Sequence, residues 1–362
     1  MNGRGVAITD WAAVSPFGIG RDAFANGIRE AKGTAAALDP ERWPTAEDRA
    51  CLVPGFEVRE VLGNAGTRTM DRFTGLAVAA IGDLLRRWAG DPDTGDRAET
   101  GLVLGTTMGS AQSTMDFVRP SFTAIAPFFV DPAQMPNAVM NCAAARSAIW
   151  HRLTGPNATV AGGHSAGLHA LGYARRLMRY GHAAHVVCGA VEEYSAARSW
   201  LEHHTRDGAR AAAAPGEGCA VLMLEEPGAE APLADVLDVV SEACLDEDFG
   251  RAVRTCLREL LDRSGARAEE VWAASVSDAP GPAGEQERDA VRELFGDGPV
   301  ERVPVAGLIG DTAAASGAFQ IAAVLAVAEE DTGAAGRLAA ISSVDGDGTV
   351  SAALLRLRGR AC

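Results

Sequence analysis

Apolar runs of strand length alternate with helix-periodic runs along most of the chain, a pattern that predicts α/β layers. The segment "GVAITDWAAV" opens the chain as a strand. Met70, Phe73, Leu76, Ala77, Ala80, Ile81, Leu84 and Leu85 follow the i, i+3, i+4 rule, which predicts an amphipathic helix over "MDRFTGLAVAAIGDLLRRW". "TGLVLGTTMGS" is a short apolar strand that ends in a glycine turn, and "AAHVVCGAV" and "CAVLMLEE" are further buried strands. The Pro/Gly/Ala-rich "PGAEAPLA" then interrupts the pattern. It marks a boundary near residue 230, dividing the chain into halves 1–230 and 231–362. The second half restarts with the strand "LADVLDVVSEA", the helix "DFGRAVRTCLRELLDRSG" and the strand "VWAASVSD". "AASGAFQIAAVLAVAEE" is a helix apolar on nearly all faces, as expected of one sandwiched between sheets. "RLAAISSVDGDGTVSAALLRLR" reads as a two-stranded hairpin. The order of elements repeats loosely between the halves, but residue identity does not.

One junction in this pattern carries candidate chemistry. "VAGGHSAGL", residues 160–168, lies between the strand "NATV" and the helix "HSAGLHALGYARRLMRYG". A sharp Gly- and Ala-lined turn from strand to helix is where many enzymes expose a Cys or Ser nucleophile. Here the tip residue is His164.

Composition narrows the function classes. The chain has 362 residues, 47% of them hydrophobic, enough for a large buried core. Mean hydropathy is near zero, and no apolar run approaches the roughly 18 residues of a membrane span. The start of the chain lacks a secretory signal pattern, so the expected location is the cytoplasm. The net charge of −15 argues against nucleic acid, whose binders present a basic face. It also disfavours this chain as the main dock for another acidic protein. The seven cysteines are scattered with no CxxC pair, as expected of buried thiols in a reducing compartment. His203 and His204 are the one adjacent histidine pair, and no Cys or carboxylate cluster stands at ligand spacing, so neither a metal nor a cofactor is expected.

Several segments together resemble one family in order and spacing. They are "VAITDWAAVSPFGIG", "TMDRFTGLAVAA", "GLVLGTTMGS", "MPNAVMNCAA", "LTGPNATV", "GEGCAVLMLE", "GLIGDTAAASGAFQIAAV" and "VDGDGTVSAALLRL". The chain resembles a β-ketoacyl synthase of the thiolase-like superfamily over nearly its full length. The resemblance implies a five-layered αβαβα fold made of two similar halves, and a dimer with active sites near the interface. It further implies an elbow Cys that takes the acyl chain, two histidines in the second half, a supporting Lys and a Phe gate. The matching positions hold His164 for the Cys, a residue between Val276 and Asp278 for the first histidine, Ala306 for the Lys, Asp311 for the second histidine and Gly346 for the Phe. No histidine follows residue 204 and the single lysine is Lys32, so the second half supplies neither histidine nor lysine wherever its loops lie. No catalytic residue is expected, and the Claisen condensation is not done here.

Such a chain resembles the chain-length factors of type II polyketide synthases, which pair with a catalytic ketosynthase. Those subunits usually carry Gln at the elbow; His164 departs from that pattern. The resemblance implies a heterodimer with a catalytic ketosynthase, with an acidic acyl carrier protein docking mainly on that partner. It also places the tunnel and interface at Ala111, Thr114, Met115 and Val118, on successive turns of one helical face, and at Gln134 and Met135 of a crossing segment. Each of these is equally readable as an ordinary core or interface residue. The helix dipole disfavours an imidazolium at a helix N-terminus, so His164 is expected to be neutral and to plug the old cysteine pocket. The alternative is a ketosynthase-like acyltransferase or malonyl decarboxylase using His164, with Ser165, Asp278 and Asp311 as helpers, the two carboxylates being equally readable as solvated loop residues. Glu217 and "GAVEEYS" read as scaffold.

Overall fold

In the computed structural model, which describes residues 5–89, 99–205, 213–228 and 231–359, the first long strand, β1 (Ala7–Ser15), lies in the middle of a mixed sheet rather than at its edge. The first half continues with α1 (Arg72–Ala89), β2 (Gly101–Thr106), α2 (Ala111–Thr123), α3 (Cys142–His151), β3 (Asn157–Ala161), α4 (Ala166–Arg179), β4 (His185–Glu192), α5 (Ala196–Thr205) and β5 (Gly218–Glu225). The second half holds β6 (Ala234–Ala243), α6 (Phe249–Ser264), β7 (Val271–Ser275), α7 (Pro282–Phe295), α8 (Ser316–Ala328), β8 (Leu338–Asp345) and β9 (Thr349–Leu357). Every strand and helix expected from the pattern is present. The boundary expected near residue 230 falls at 229–230, outside the described residues.

Strand order runs β7-β8-β9-β6-β1-β5-β4-β2-β3, and a short register, Ala7↔Asp235 and Ile8↔Ala234, joins the two halves. Outward from that junction, each half places its first strand, then its last, its penultimate and its second. The sense of pairing repeats as well. First and last strands pair antiparallel, as do last and penultimate, while penultimate and second pair parallel. Only the first half adds a further strand, β3, parallel to β2 at the outer end. The repeat that residue identity hides is therefore written in the topology.

Three core clusters fill the spaces between five layers. One joins the outer face of the first half's strands to α1 and α3, through residues such as Leu102, Leu104, Phe73 and Leu84. One lies between the two sets of strands and contains α4 and α8. The third packs α6 and α7 on the far face of the second half. α8 sits in the middle layer, and all its residues from Ser316 to Ala326 are buried, which explains its uniformly apolar sequence. α1 begins at Arg72 rather than Met70, because the Asp71 carboxylate accepts the Thr74 N–H at 2.9 Å and caps the first turn. No described helix is long and apolar enough to cross a membrane.

Candidate functional site

The turn before α4 is built by its glycines. Gly163 has φ +51°, and a Cβ there would stand 1.8 Å from the Asp345 carboxylate, so only glycine fits. A short 3-10 turn, Gly163–Ser165, then feeds α4 and directs His164 into the space between the ends of the two halves.

His164 is held by two carboxylates from distant parts of the chain. Its Nε2 lies 2.9 Å from Asp311 Oδ1, and its Nδ1 lies 3.3 Å from Asp345 Oδ2. The His164 backbone N–H also donates to Asp345 Oδ2 at 2.8 Å. The His164 side chain is 15% exposed, Asp311 6% and Asp345 13%. Each carboxylate is fixed in turn. Asp311 Oδ1 accepts the Ala313 N–H at 2.9 Å, and Asp345 Oδ1 accepts the Asp347 N–H at 2.9 Å. The buried Arg198 donates to the backbone carbonyls of Asp311 (3.2 Å), Gly216 (2.8 Å) and Glu193 (3.1 Å), which anchors the Asp311 loop.

This arrangement reverses the expected charge state of His164. Burial and the helix dipole favour neutral imidazole, but the charges and hydrogen bonds of Asp311 and Asp345 outweigh them. Against the burial penalty, these partners raise the His164 pKa to about 10. Burial likewise works against both carboxylates, yet the pairing with His164 holds their pKa values below the usual carboxylate range. The group is an imidazolium between two carboxylates. The neutral charge expected from the sequence is corrected, because a dipole acting at one helix end is weaker than two adjacent full charges.

The expected helpers separate. Asp311 contacts His164. Asp278 does not: it sits at φ +52° after β7 and is taken by Arg288 of α7. Ser165 is buried, with its Oγ directed at the Ser343 carbonyl at 3.4 Å rather than at His164. Ala306 opens the short helix Ala306–Ile309 that leads through Gly310 to Asp311. Gly346 is exposed at the β8–β9 turn, and a Cβ there would meet nothing within 4 Å. Its neighbour Asp345, which holds His164, is the candidate site residue that sequence reasoning missed. The available signal was the carboxylate that opens "DGDGTV".

Further chemistry-bearing groups surround the site. On the same helix, His169 Nε2 lies 2.9 Å from Ser351 Oγ, which lies 2.9 Å from Ser241 Oγ. Burial lowers the His169 pKa, with Asp345 opposing. Glu287 of α7, fully buried, accepts from Ser277 N–H and Oγ and from Ser342 Oγ. Burial raises its pKa to about 7 despite these bonds. Glu217 is paired to Arg72 and accepts the Val53 and Tyr194 N–H groups, the scaffold role expected of it. The six described cysteines are buried and free, and burial pushes the Cys188 and Cys219 thiols far up, away from thiolate chemistry. Among the described residues no group of three His, Cys, Asp or Glu is arranged to hold a metal ion.

The residues expected to line a tunnel or interface lie together but in different settings. Ala111 is buried at the start of α2, whose first turn Ser110 caps by accepting the Ser113 N–H at 3.0 Å. Thr114 Oγ1 donates to the Ser110 carbonyl at 2.9 Å. Met115 and Val118 emerge on the same helical face and are exposed, as are Gln134 and Met135 in the 3-10 segment Pro132–Asn137. They belong to a wide apolar surface with Phe122, Ile125, Phe128, Phe129 and Met140. This surface adjoins β3, the open edge strand, through α3.

A family model described as "Beta-ketoacyl synthase, N-terminal domain" matches residues 3–228. A 3-oxoacyl-[acyl-carrier-protein] synthase 2 of Rhizobium meliloti is 26% identical over 334 residues, 81% of this chain and 78% of that protein. A putative polyketide beta-ketoacyl synthase 2 of Streptomyces virginiae is 28% identical over 205 residues, and there the chain spans about half, 47%, of the relative. Among solved structures, "the ishigamide ketosynthase/chain length factor" matches with TM-score 0.94 and 46% identity, covering 98% of this chain and all of that one. A type II PKS acyl-carrier protein in complex with its ketosynthase, AntDE:AntF, matches with TM-score 0.80 and 18% identity, over 98% of this chain and 100% of that one, and shows the shared fold.

Proposed function

We propose that the chain, which belongs to the β-ketoacyl synthase family, is a non-elongating, chain-length-factor-like subunit that pairs with a catalytic ketosynthase in type II polyketide biosynthesis. The observation that carries this reading is the His164 imidazolium clamped between Asp311 and Asp345.

Condensation needs a nucleophile to carry the acyl chain and donors that stabilise an enolate. His164 stands in the nucleophile's place with both ring nitrogens engaged by carboxylates. An imidazolium has no lone pair for attack, and a group with a pKa of about 10 does not serve as a base near neutrality. The second histidine's place holds Asp311, an anion that would repel an enolate. The same clamp argues against the acyltransferase and decarboxylase alternatives, which both need a free His164 nitrogen. At the positions Ala306 and Gly346, no side chain replaces the ketosynthase lysine or gate.

What the chain offers instead is a surface for pairing. Among the described residues β3 has a neighbour on one side only, and eleven of the sixteen exposed large hydrophobic residues lie from Met108 to Ile149, the stretch that ends in α3 against β3. Ala111, Thr114, Met115 and Val118, with Gln134 and Met135, then shape the tunnel where a partner closes over them. The ishigamide ketosynthase/chain length factor and the AntDE:AntF complex support a ketosynthase partner and an acyl carrier protein in the same system. The chain's acidity places the carrier's main dock on the partner. The mirrored strand orders support halves of 1–230 and 231–362, and free buried thiols support a cytoplasmic location.

The test is co-expression with a ketosynthase carrying an intact Cys–His–His set. A 1:1 native mass, with malonyl elongation that survives His164→Ala, is the expected result. A stable homodimer whose own acyl transfer is lost in His164→Ala would overturn the reading.

A further inference from the structure

The two faces of the first half's strands differ in character beside the open edge. Leu102 and Leu104 of β2 face α3 and the apolar surface, whereas Val103 faces the layer of α4. On that second side α4 lines a cleft of about 580 Å³. Its walls include Arg175, Arg176, Arg179, His169, Tyr180 and Val160 of the edge strand. No carboxylate lines it.

The arginines are unequally neutralised. Arg175 pairs with Asp238 at 2.7 Å. Burial lowers its pKa, Asp238 opposes, and the positive charge of Arg179 adds to the lowering, so the two guanidinium groups are electrostatic neighbours. Arg176 lies over the Tyr173 ring at 5.3 Å, and neither Arg176 nor Arg179 has a carboxylate partner among the described residues. Cations suit a helix C-terminus, but the dipole does not call for a cleft lined by three of them on a chain of net charge −15.

We infer that this cleft receives an acidic segment of the partner subunit and thereby selects a heterodimer over a homodimer. The inference rests on the pairing role proposed above. A two-fold dimer through β3 uses the same patch on both copies, so it would gather two sets of these arginines in one interface. Like charges so placed oppose association, while an acidic partner face matches them. The apolar side of the edge supplies adhesion, and the cationic side supplies the choice of partner.

The test compares the chain with Arg176→Glu/Arg179→Glu, measuring affinity for a co-purifying Cys-containing ketosynthase by sedimentation at low and high salt. The double variant is expected to bind about tenfold or more weaker at low salt and to reverse the salt dependence, binding better as salt screens the new repulsion. Phe128→Asp/Phe129→Asp is expected to abolish binding at both salts. Unchanged affinity and salt slope in the arginine variant would overturn the inference. If no ketosynthase complex forms, the pairing role falls, and a mixture of the parent chain with the arginine variant decides the inference separately. Preferential mixed dimers sustain it, and random or absent association overturns it. Binding of inorganic pyrophosphate by the parent chain alone, lost in the arginine variant, would make the cleft a small-anion site and overturn the protein-partner assignment.

Discussion

At the scale of the residue, His164 behaves as a structural cation. Its pKa rises on folding from an ordinary value of about 6.5 to about 10. Stability from a raised group is fully present below the unfolded value and is lost as pH rises through the folded one. Asp311 and Asp345 are depressed, so their contribution is present above about pH 4 and is lost as pH falls through their folded values. The clamp is thus strongest between about pH 4 and 6.5 and fades toward pH 10. His164→Ala removes the imidazolium that faces the buried Asp311 carboxylate and is expected to cost about 3 kcal/mol at pH 6. Urea midpoints measured from pH 6 to 10 should fall for the parent chain and stay flatter for the variant. Equal slopes would show that the imidazole is neutral.

At the scale of the element, the α4–α8 contact and the α7 anchor set the middle of the fold. A Cβ on Gly167 of α4 would stand 3.0 Å from the Ala318 nitrogen and 3.2 Å from the Ala314 carbonyl oxygen, backbone atoms that cannot turn aside. Gly167→Val is therefore expected to lose about 1–3 kcal/mol by overpacking, seen as a lowered Tm, and to shift the turn that carries His164. Glu287 ties α7 to the loop after β7 and to Ser342 of β8. Burial lifts its pKa to about 7, so the native state holds its proton where the unfolded chain has released it. Stability should consequently decline as pH rises from about 4.5 to 7. Glu287→Gln should remove that decline, and a variant that keeps the parent's fall in stability between about pH 4.5 and 7 would contradict this account. The strand pairings around these helices show the duplication clearly, whereas the sequence offered only a loose order of elements.

At the scale of the whole molecule, the apolar surface around α2 and α3 is the dominant exposed feature. Phe122, Ile125 and Phe128 are 83%, 101% and 77% exposed, a degree of exposure that an isolated chain tolerates poorly in water. The chain alone is expected to self-associate or precipitate, and co-expression with a ketosynthase should recover it. Phe128→Asp/Phe129→Asp should raise the yield of the chain alone and abolish the 1:1 complex, measured by native mass. A double variant that still pairs would move the interface elsewhere.

The sequence by itself determined the elements, the α/β layering, the all-apolar central helix and the absence of histidine after residue 204, because periodicity and residue type are local properties. It also singled out His164 and Asp311 through the motifs around them. It did not determine the charge on His164, because that depends on Asp345, 181 residues away along the chain and brought near only by the β8–β9 hairpin. Asp278, one of the helpers weighed for His164, is taken instead by Arg288, nearly two turns into α7. The open edge of β3, with an apolar face on one side and an arginine cleft on the other, likewise exists only once the strand order is set. Electrostatics and exposed surface are sums over neighbours in space, and those neighbours were chosen by the tertiary fold.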